Sequence, residues 1–374
     1  MRIAVNTRFL LASKMEGFGW YTYEVVKRLV EKHPEHDFIF FFDRPFDKKF
    51  IFGDNVTPVI LNPPARHPFL FYIWFEFSVK RALKKYKADV FLSPDGYLSL
   101  KSKVKQIAVI HDINFEHNPD DIPWLMRKYL RRFFPKFAHK AAHILTVSEY
   151  SKKDICSKYS IDTSKVSPLW NGASSQFKPL HLDQKNSARL TYANGNPYFL
   201  FVGALHPRKN VGRLIAAFEQ FKQENPEDQH KLVIVGTEMF GKKLNGIEIS
   251  PFVRDHILFT GHVSLSDLAE IMGAASLLTY IPYFEGFGIP LVEAMKCGTP
   301  ILSGNKTSLP EVAGDAAIYC DPFNIDDIRE KMSYIVKNPA IQKELSQKGL
   351  KRSTLFSWDN TADEIWKVIC TIAN

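Results

Sequence analysis

Cysteine is scarce in this 374-residue chain, which has four, and no two of them form a C-x-x-C pair. The four are Cys156, Cys297, Cys320 and Cys370. Their scatter argues against a disulfide scaffold and predicts reduced, structural thiols of the kind found in the cytoplasm. Long apolar runs are also missing, since the longest, from Phe69 to Phe75, is far too short to cross a bilayer. A strand pattern begins at Arg2, so we expect no signal peptide and a cytoplasmic location.

Patterns that hold metal ions or dinucleotides are missing as well. The sequence has no D-x-D motif, and its His, Cys, Asp and Glu residues do not show the spacing of a metal site. We therefore expect no metal ion and no bound cofactor. The glycine loop Gly17-Phe18-Gly19 resembles the beginning of a dinucleotide fingerprint, but Thr22 replaces its third glycine and no strand directly precedes it. This argues against a dinucleotide oxidoreductase. A glycine loop that approaches a ligand and a helix start without a ligand both remain open.

Excess positive charge is confined to the first half of the chain. Residues 1–175 contain 28 Lys and Arg against 18 Asp and Glu, whereas the remainder has 21 against 22. Much of the excess lies in two segments, 69–87 and 124–140, which interleave aromatic residues with Lys and Arg at roughly helical spacing. They are interpreted either as amphipathic helices that pack apolar stripes in the core, or as a face for anionic lipid or a lipid-linked diphosphate. No nucleic-acid motif accompanies this charge, so we expect no nucleic-acid partner.

Short apolar strands alternate with longer amphipathic helices along the whole chain. In the first half, strands are predicted at 2–6, 38–42, 56–61, 90–93, 106–111 and 144–148, and helices at 19–33, 74–87, 124–142 and 149–159. In the second half, strands are predicted at 198–203, 231–236, 257–260, 276–281, 300–303 and 317–320, and helices at 211–225, 265–274, 290–297, 325–337 and 340–355. This alternation predicts parallel sheets covered on both faces, and the chain length predicts two such α/β domains.

Composition and apolar periodicity predict the linker between the two domains and the last helix of the chain. The segment from 172 to 196 is polar and irregular, and is therefore predicted to be the linker. The last segment carries an apolar stripe and is predicted to be a helix that covers a core surface; the stripe consists of Ala362, Ile365, Trp366, Ile369 and Ile372. Ligands of open α/β sheets bind at the carboxyl ends of the strands, so residues directly after predicted strands are the candidates for a site.

The strongest local signal is the nine-residue segment from Glu285 to Glu293, EGFGIPLVE. Its two glycines permit close approach of a ligand to the backbone, and Pro290 suits the first turn of a helix. A helix that begins here points free N–H groups and the positive end of its dipole at the loop 286–289, which predicts an anion site. Carboxylates at both ends suit a ligand with a phosphate in its middle and hydroxyls at its two ends, such as a nucleotide sugar.

Further candidates follow other predicted strands. Arg208 and Lys209 lie between a strand and a helix, where two adjacent cations suit a diphosphate; an exposed basic loop is the alternative. His111 follows a strand and can hydrogen-bond a sugar hydroxyl or stabilise developing charge, with a purely structural role as the alternative. Ser308, three residues before Glu311, is interpreted as the cap of a helix.

Taken together, these residues resemble the family 4 retaining glycosyltransferases, which have the GT-B fold. The resemblance extends over nearly the whole chain, in order. It is most specific in the two glutamates of the 285–293 segment and in Pro207-Arg208-Lys209-Asn210, which is similar to a mannosyltransferase-like subgroup. Its other segments are 17–19, 109–112, 146–151, 171–172, 201–203, 259–263, 308–317 and 356–358. Two positions depart from the commonest pattern, since Ala204 replaces an Arg of many members and Tyr283 replaces a frequent Ser.

The resemblance implies an architecture and a set of contacts. It implies two doubly wound Rossmann-like domains that face each other across a deep cleft. The acceptor domain would comprise residues 1–175 and a C-terminal helix, 358–374, that crosses back to it, and the donor domain residues 176–357. Glu285 would lie beside the donor sugar, Glu293 would bind the ribose, and Arg208 and Lys209 would neutralise the diphosphate. The other donor contacts that it implies are His111, Gly17, Gly19, Val263, Phe287, Gly288 and Ile289.

The resemblance also implies a reaction. A hexose, with mannose favoured, would pass from a GDP- or UDP-linked donor to a glycan or lipid-linked oligosaccharide, with retention and without metal. This would occur in synthesis of a cell-surface polysaccharide such as lipopolysaccharide, in the cytoplasm and at the inner face of the membrane. A sugar-nucleotide epimerase of the same architecture and a non-catalytic nucleotide-sugar binding protein remain as alternatives.

Overall fold

The computed structural model describes residues 1–12, 15, 17–237 and 249–373, and these form two structural units. The first unit consists of Met1–Asn171 together with the segment that begins at Ser357, and the second is Gly172–Phe356. The boundary predicted from sequence follows residue 175, whereas the structural boundary follows residue 171. Asn374, the last residue of the predicted C-terminal helix, lies outside the described residues.

Within the described residues, the first unit is built on a seven-stranded parallel sheet. Its strands are β1 (Arg2–Asn6), β2 (Asp37–Phe42), β3 (Val56–Ile60), β4 (Val90–Ser93), β5 (Lys105–Val109), β6 (His143–Thr146) and β7 (Val166–Pro168). Their order across the sheet is β3-β2-β1-β4-β5-β6-β7. The central strands β1, β4 and β5 are buried almost end to end, because helices cover both faces of such a sheet.

Helices alternate with these strands. They are α1 (Gly17–Lys32), α2 (Pro68–Ile73), α3 (Lys80–Lys85), α4 (Asn114–His117), α5 (Trp124–Lys140) and α6 (Glu149–Tyr159). The single helix predicted at 74–87 is wrong in detail, because a π-helical turn, Trp74–Val79, joins α2 to α3. Phe71, Trp74 and Phe137 are buried, so the apolar stripes of both basic segments pack in the core.

The second unit has, in its described part, a six-stranded parallel sheet in the order β10-β9-β8-β11-β12-β13. Its strands are β8 (Tyr198–Val202), β9 (Lys231–Val235), β10 (Ile257–Gly261), β11 (Leu277–Tyr280), β12 (Ile301–Gly304) and β13 (Ile318–Cys320). Its helices are α7 (Leu182–Ala193), α8 (Val211–Glu224), α9 (Pro251–Arg254), α10 (Leu265–Ala274), α11 (Ile289–Cys297), α12 (Leu309–Ala313), α13 (Ile325–Lys337) and α14 (Pro339–Ser353).

The predicted linker at 172–196 is wrong in its second half, because residues Leu182–Ala193 form the helix α7. The Gln184 side chain accepts a hydrogen bond from the His181 N–H at 3.1 Å and so caps the helix. Ala188 and Ala193 are buried, and Arg189 Nε donates to the carbonyl of Ala274 at 3.2 Å. A helix that buries only small side chains has little apolar periodicity, which is why the sequence pattern does not show it.

The chain ends in α15 (Trp358–Ala373), which belongs to the first unit and packs on α1. Ala362, Ile365 and Ile369 are buried, and Thr361 Oγ1 donates to the carbonyl of Trp170 at 2.6 Å. The predictions of two doubly wound Rossmann-like domains and of a final helix that returns to the first are confirmed. None of the helices in the described ranges has the length and apolarity needed to cross a bilayer.

Candidate functional site

The winding of the second unit reverses between β8 and β11, which are neighbours in its sheet. From β8 the strands continue outward through β9 and β10, and from β11 through β12 and β13. Ligands of open parallel sheets bind at the carboxyl edge of such a switch point. Arg208 and Lys209 follow β8 in a 3₁₀ turn, Pro207–Lys209, and Glu285 follows β11. Sheet topology therefore brings these two cations and this carboxylate together.

The side chains of Arg208, Lys209, Tyr280 and Glu285 form a polar cluster. Lys209 Nζ donates to Glu285 Oε2 at 2.5 Å and to the Tyr280 hydroxyl at 2.7 Å. The Tyr280 hydroxyl donates to the same Oε2 at 2.9 Å, and Arg208 Nη1 lies 3.1 Å from it. Arg208 Nη1 also donates to the carbonyl of Phe284 at 3.0 Å. Two cations thus share one carboxylate, which leaves the cluster with a net positive charge.

The cluster fixes the ionisation of its members. Burial opposes ionisation of Glu285, but Arg208 and Lys209 outweigh it and lower the pKa of this carboxyl to about 2. Burial, and then the neighbouring Glu285, raise the pKa of Tyr280 well above its ordinary value. At neutral pH Glu285 is therefore a carboxylate and Tyr280 a neutral hydrogen-bond donor. The cations are held in place before any ligand arrives.

Two hydroxyl groups hold the loop that follows Glu285. The Glu285 N–H donates to Thr307 Oγ1 at 3.2 Å. Ser308 Oγ lies 2.9 Å from the carbonyl oxygen of Glu285 and 3.2 Å from that of Phe287. Ser308 does occupy the N-cap position of α12, as predicted, but its side chain does not cap the helix. Its backbone is already helical, with φ −79° and ψ −10°, and its hydroxyl donates to the 285–287 loop instead of accepting a hydrogen bond from an N–H group of α12.

The loop leads directly into α11. Gly288 precedes the helix with a φ of 98°, and a Cβ there would lie 3.1 Å from the Leu309 side chain, so the position favours glycine. Pro290 is in the first turn, as predicted. Ile289 is the first helical residue, and Phe287 is buried with its ring 5.9 Å from that of Phe356. The first N–H groups of a helix have no acceptor within it, so this end of α11 can bind an anion.

Glu293 lies inside α11 and differs from Glu285 in its surroundings. Its side chain is 9% exposed, and neither a hydrogen bond nor an ion pair reaches it from the described residues. Burial without a partner raises the pKa of its carboxyl to about 8. A buried polar group without a partner is costly to the fold, which makes Glu293 a candidate for contact with a ligand.

Three further residues of the second unit concern this cluster: two that the sequence analysis did not single out and one that it did. Asn210, which the sequence reasoning did not single out, donates through Nδ2 to the carbonyls of Ile281 and Pro322 and joins the turn after β8 to the end of β11. Tyr280 is the last residue of β11 but lies inside the strand predicted at 276–281, so the search for residues directly after predicted strands did not find it. Val263 lies half-buried after β10, the edge strand, and is not part of the Glu285 cluster.

The first unit holds the remaining predicted residues. His111 follows β5, and its Nε2 lies 2.9 Å from the carbonyl oxygen of Pro94. The edges of Phe18 and Tyr21 pack against its ring at centroid distances of 4.8 and 4.7 Å. Gly17 is exposed at the start of α1, and Gly19 is buried. The structure therefore joins the glycine loop to His111 through Phe18.

Sequence reasoning missed a second group of polar residues in this unit. Asn6 and Arg8 come at the end of β1, and Asp95 comes just after β4; all three are buried. The criterion of polar residues after strands would have found them.

The described part of the chain does not show the geometry of a metal site. Among the residues with described positions, no group of three or more His, Cys, Asp and Glu side chains is arranged to hold a metal ion.

Comparisons with known proteins agree with this architecture. The family model Glycosyltransferase Family 4 matches residues 15–177, and the model Glycosyl transferases group 1 matches residues 183–352. A curated relative, the O-antigen chain mannosyltransferase B of Escherichia coli, is 26% identical over 361 residues, which are 92% of this chain and 93% of the relative.

Two solved structures share the fold across both units. Sucrose-phosphate synthase from Thermosynechococcus elongatus has a TM-score of 0.81 at 18% identity, and the match covers 99% of this chain and 98% of that one. HepE from Anabaena, solved in complex with UDP-glucose, has a TM-score of 0.78 at 15% identity and covers 99% of this chain and 100% of its own. The two matched family models, which together span nearly all of the sequence, place it plainly: the chain belongs to the family 4 glycosyltransferases.

Proposed function

We propose that this glycosyltransferase is a retaining, metal-independent hexosyltransferase whose second unit binds a nucleotide-diphosphate sugar. The observation that carries the proposal is the pair of cations, Arg208 and Lys209, held on Glu285 at the carboxyl edge of β8 and β11. A nucleoside diphosphate leaves in such a transfer, and its negative charge grows as the bond to the sugar breaks. Cations already fixed in position stabilise that charge without rearrangement in the transition state.

The beginning of α11 is a second source of positive potential. The N–H groups of Phe287, Gly288 and Ile289 lie at the positive end of its dipole, next to the Glu285 loop. The helix end and the two cations together can neutralise the diphosphate, which is what a divalent ion does in metal-dependent enzymes. We therefore propose that no metal ion and no cofactor take part.

The two glutamates differ enough to support different roles. Glu285 is ionised, and its hydrogen bonds converge on Oε2, so Oε1 can accept a hydroxyl of the donor sugar. Glu293 is buried without a partner, and we assign it to the ribose hydroxyls. We also assign donor contacts to His111, Gly17, Gly19 and Val263.

Retention follows from a front-face reaction in this proposal. A double displacement requires two carboxyl groups about 5 Å apart, one of them a nucleophile. Glu285 is a poor nucleophile, because two cations and a phenol already occupy its Oε2. The acceptor oxygen instead bonds to the anomeric carbon on the face from which the diphosphate departs, and its proton passes to a phosphate oxygen. Proton NMR of the first product formed gives its anomeric configuration, and inversion would contradict this step.

The proposed identities of the donor sugar and the acceptor are based on similar proteins. The E. coli relative is an O-antigen chain mannosyltransferase, which supports mannose and a glycan or lipid-linked acceptor of a cell-surface polysaccharide, bound by the first unit. HepE was solved with UDP-glucose, so both GDP and UDP sugars are candidates. In a thermal-shift screen a bound donor stabilises the fold by mass action, and we expect the largest shift with GDP-mannose. A larger shift with a UDP-sugar would exclude mannose as the preferred sugar.

Contact with the inner face of a membrane is a further part of the proposal. Phe69 and Trp124 are 67% and 59% exposed, and Lys128 Nζ lies 4.4 Å from the Trp124 ring centroid. Glu76, the one acidic residue in the two basic segments, is buried. Such a surface suits anionic lipid. We expect the protein to sediment with phosphatidylglycerol vesicles and not with phosphatidylcholine vesicles, and Trp124→Ser to weaken this binding.

One assay separates the proposed reaction from its alternatives. Release of nucleoside diphosphate is measured with GDP-mannose and with UDP-sugars, in the presence and absence of a mannose-containing glycan. A transferase releases diphosphate much faster when acceptor is present. An epimerase would convert the donor without release, and a binding protein would do neither.

A further inference from the structure

The first unit has a switch point of its own. Its strands run outward from β1 through β2 and β3 on one side, and from β4 through β5, β6 and β7 on the other. Arg8 and Asp95, which follow β1 and β4, meet at this carboxyl edge and are only 4% and 5% exposed. Arg8 Nε donates to Asp95 Oδ2 at 2.6 Å. The donor contacts proposed above do not use this pair.

Asp95 is held from several sides. Its Oδ1 accepts from Asn6 Nδ2 at 2.9 Å, from Ser93 Oγ at 3.0 Å and from the Tyr97 N–H at 3.2 Å. The Arg8 guanidinium also lies over the Tyr97 ring, 4.3 Å from its centroid. Charge-assisted hydrogen bonds in a buried site are strong and leave few alternative geometries. The turn from residue 94 to 97 is therefore rigid.

This turn presents one carbonyl to His111. His111 Nε2 lies 2.9 Å from the oxygen of Pro94, which can only accept, so Nε2 carries the hydrogen. Burial lowers the pKa of His111, with smaller opposing effects of Pro94, Asp112 and Asp95. The ring is therefore neutral at pH 7, and its Nδ1 is an acceptor. Within the described part of the chain, no group donates to this Nδ1.

We propose that Asp95 is a positioning residue that, through the turn it holds, keeps His111 in the Nε2–H tautomer so that Nδ1 accepts a hydrogen bond from a sugar hydroxyl. Phe18 and Tyr21 restrict the ring from its sides. The group that His111 recognises is thus a hydroxyl donor and not a phosphate, which is an acceptor at this pH. This inference rests on the proposed transferase function.

The tautomer is tested first, without any activity measurement. Nitrogen-15 NMR of the imidazoles, with His111 assigned by comparison with His111→Ala, distinguishes the two neutral tautomers. We expect a protonated Nε2 and an unprotonated Nδ1 in the wild type, and a mixture in Asp95→Asn. A protonated Nδ1 in the wild type would overturn the proposal. Because this measurement does not depend on activity, failure of this proposal can be distinguished from failure of the proposed transferase function.

Two substitutions of His111 separate its nitrogens. Asparagine places a carbonyl oxygen near the position of Nδ1, whereas glutamine reaches the position of Nε2. We expect His111→Asn to keep kcat/KM within about tenfold of the wild type and His111→Gln to lose about a hundredfold, as for loss of a hydrogen bond to substrate. A glutamine variant as active as the asparagine variant would contradict the role of Nδ1.

A double-mutant cycle shows whether Asp95 acts through His111. Asp95→Asn is expected to lower kcat/KM about tenfold in the wild-type background and to have little further effect in His111→Ala. An equal loss in both backgrounds would show that Asp95 supports the fold alone. If Asp95→Asn fails to fold by circular dichroism, Asn6→Ala replaces it, because that change removes one donor to the same carboxylate and leaves Arg8 paired.

Discussion

Lys209 and Arg208 contact the same carboxylate oxygen, yet their removal has different consequences for the cluster. Lys209 also contacts Tyr280, whereas Arg208 is tied to the Phe284 backbone. Lys209 is thus the cation whose ammonium can turn from Glu285 to an arriving phosphate without disturbing the backbone. Its removal leaves Glu285 paired with Arg208 and Tyr280, so the fold can tolerate the change.

We predict that Lys209→Ala lowers kcat at saturating donor by at least about a hundredfold, the cost of one preorganised electrostatic group. Lys343→Ala, an exposed lysine of the same unit, is the matched control and should leave kcat unchanged. Both variants are compared by diphosphate release and by circular dichroism. Near-normal turnover by Lys209→Ala would exclude its assignment to the diphosphate.

The ionisation of Glu293 is linked to folding, and it therefore predicts how the free energy of unfolding depends on pH. Its pKa is about 8 in the folded protein, against an ordinary value of 4.5. The folded state therefore binds more protons than the unfolded state between these values, and the contribution of Glu293 to stability falls as pH rises. The fall amounts to about 1.4 kcal/mol for each pH unit.

Glu293→Gln removes this dependence, since glutamine does not titrate. We predict that the free energy of unfolding of the variant, relative to wild type, rises between about pH 5 and 8 by roughly 1.4 kcal/mol per unit. Urea denaturation at several pH values measures it. Glu270→Gln, at an exposed position of the same unit, should parallel the wild type. A Glu293→Gln curve that also parallels the wild type would show that Glu293 has a partner in solution.

At the scale of elements, the two glycines in the first turn of α1 have different neighbours. A Cβ on Gly19 would lie 2.7 Å from the carbonyl oxygen of Phe9, a backbone atom that cannot move away. A Cβ on Gly17 would have nothing within 4 Å. The two positions therefore separate a structural requirement for glycine from a requirement imposed by a ligand.

We predict that Gly19→Ala lowers the free energy of unfolding by about 1–3 kcal/mol, the usual cost of overpacking. Gly17→Ala should leave it unchanged and, if the loop approaches the donor, should weaken donor binding. Urea denaturation and titration of donor measure the two effects. An unchanged donor affinity in Gly17→Ala would show that the loop at residue 17 has no contact with the donor.

The same scale shows what sequence patterns can and cannot reveal. Strand and helix periodicity predicts most elements. The rule for strand ends identifies Arg208 and Lys209, and the glycine-rich turn before a helix identifies Glu285. The pattern at Ser308 is misleading, because a local S-x-x-E motif carries no information about carbonyls more than twenty residues away in the chain. The rule for strand ends applies to Arg8 and Asp95 one at a time, but it does not predict that they pair, since the pairing depends on β1 being the neighbour of β4 in the sheet.

At the scale of the whole molecule, the two units differ in how much chain each requires. The second unit is one continuous segment, Gly172–Phe356, with a core of its own. The first unit requires the far end of the chain as well, because α15 packs its buried face on α1. Lys32 Nζ lies 3.2 Å from Asp359 and 2.8 Å from Asp363, and the Trp366 ring stacks on His33 at 3.6 Å. The first unit is therefore complete only after α15 has been synthesised.

This difference predicts opposite outcomes for two truncations. A fragment of residues 172–356 should fold by itself, with a cooperative urea transition and slow amide exchange in β8 and β11. A chain that ends at residue 356 should keep protection in the second unit and lose it in α1 and the adjacent strands, because several large apolar side chains of the first unit would be exposed to water. Hydrogen exchange measured by mass spectrometry reports both units in one experiment, with the full chain as the reference. Protection of α1 that survives the truncation would mean that α15 covers the first unit without stabilising it.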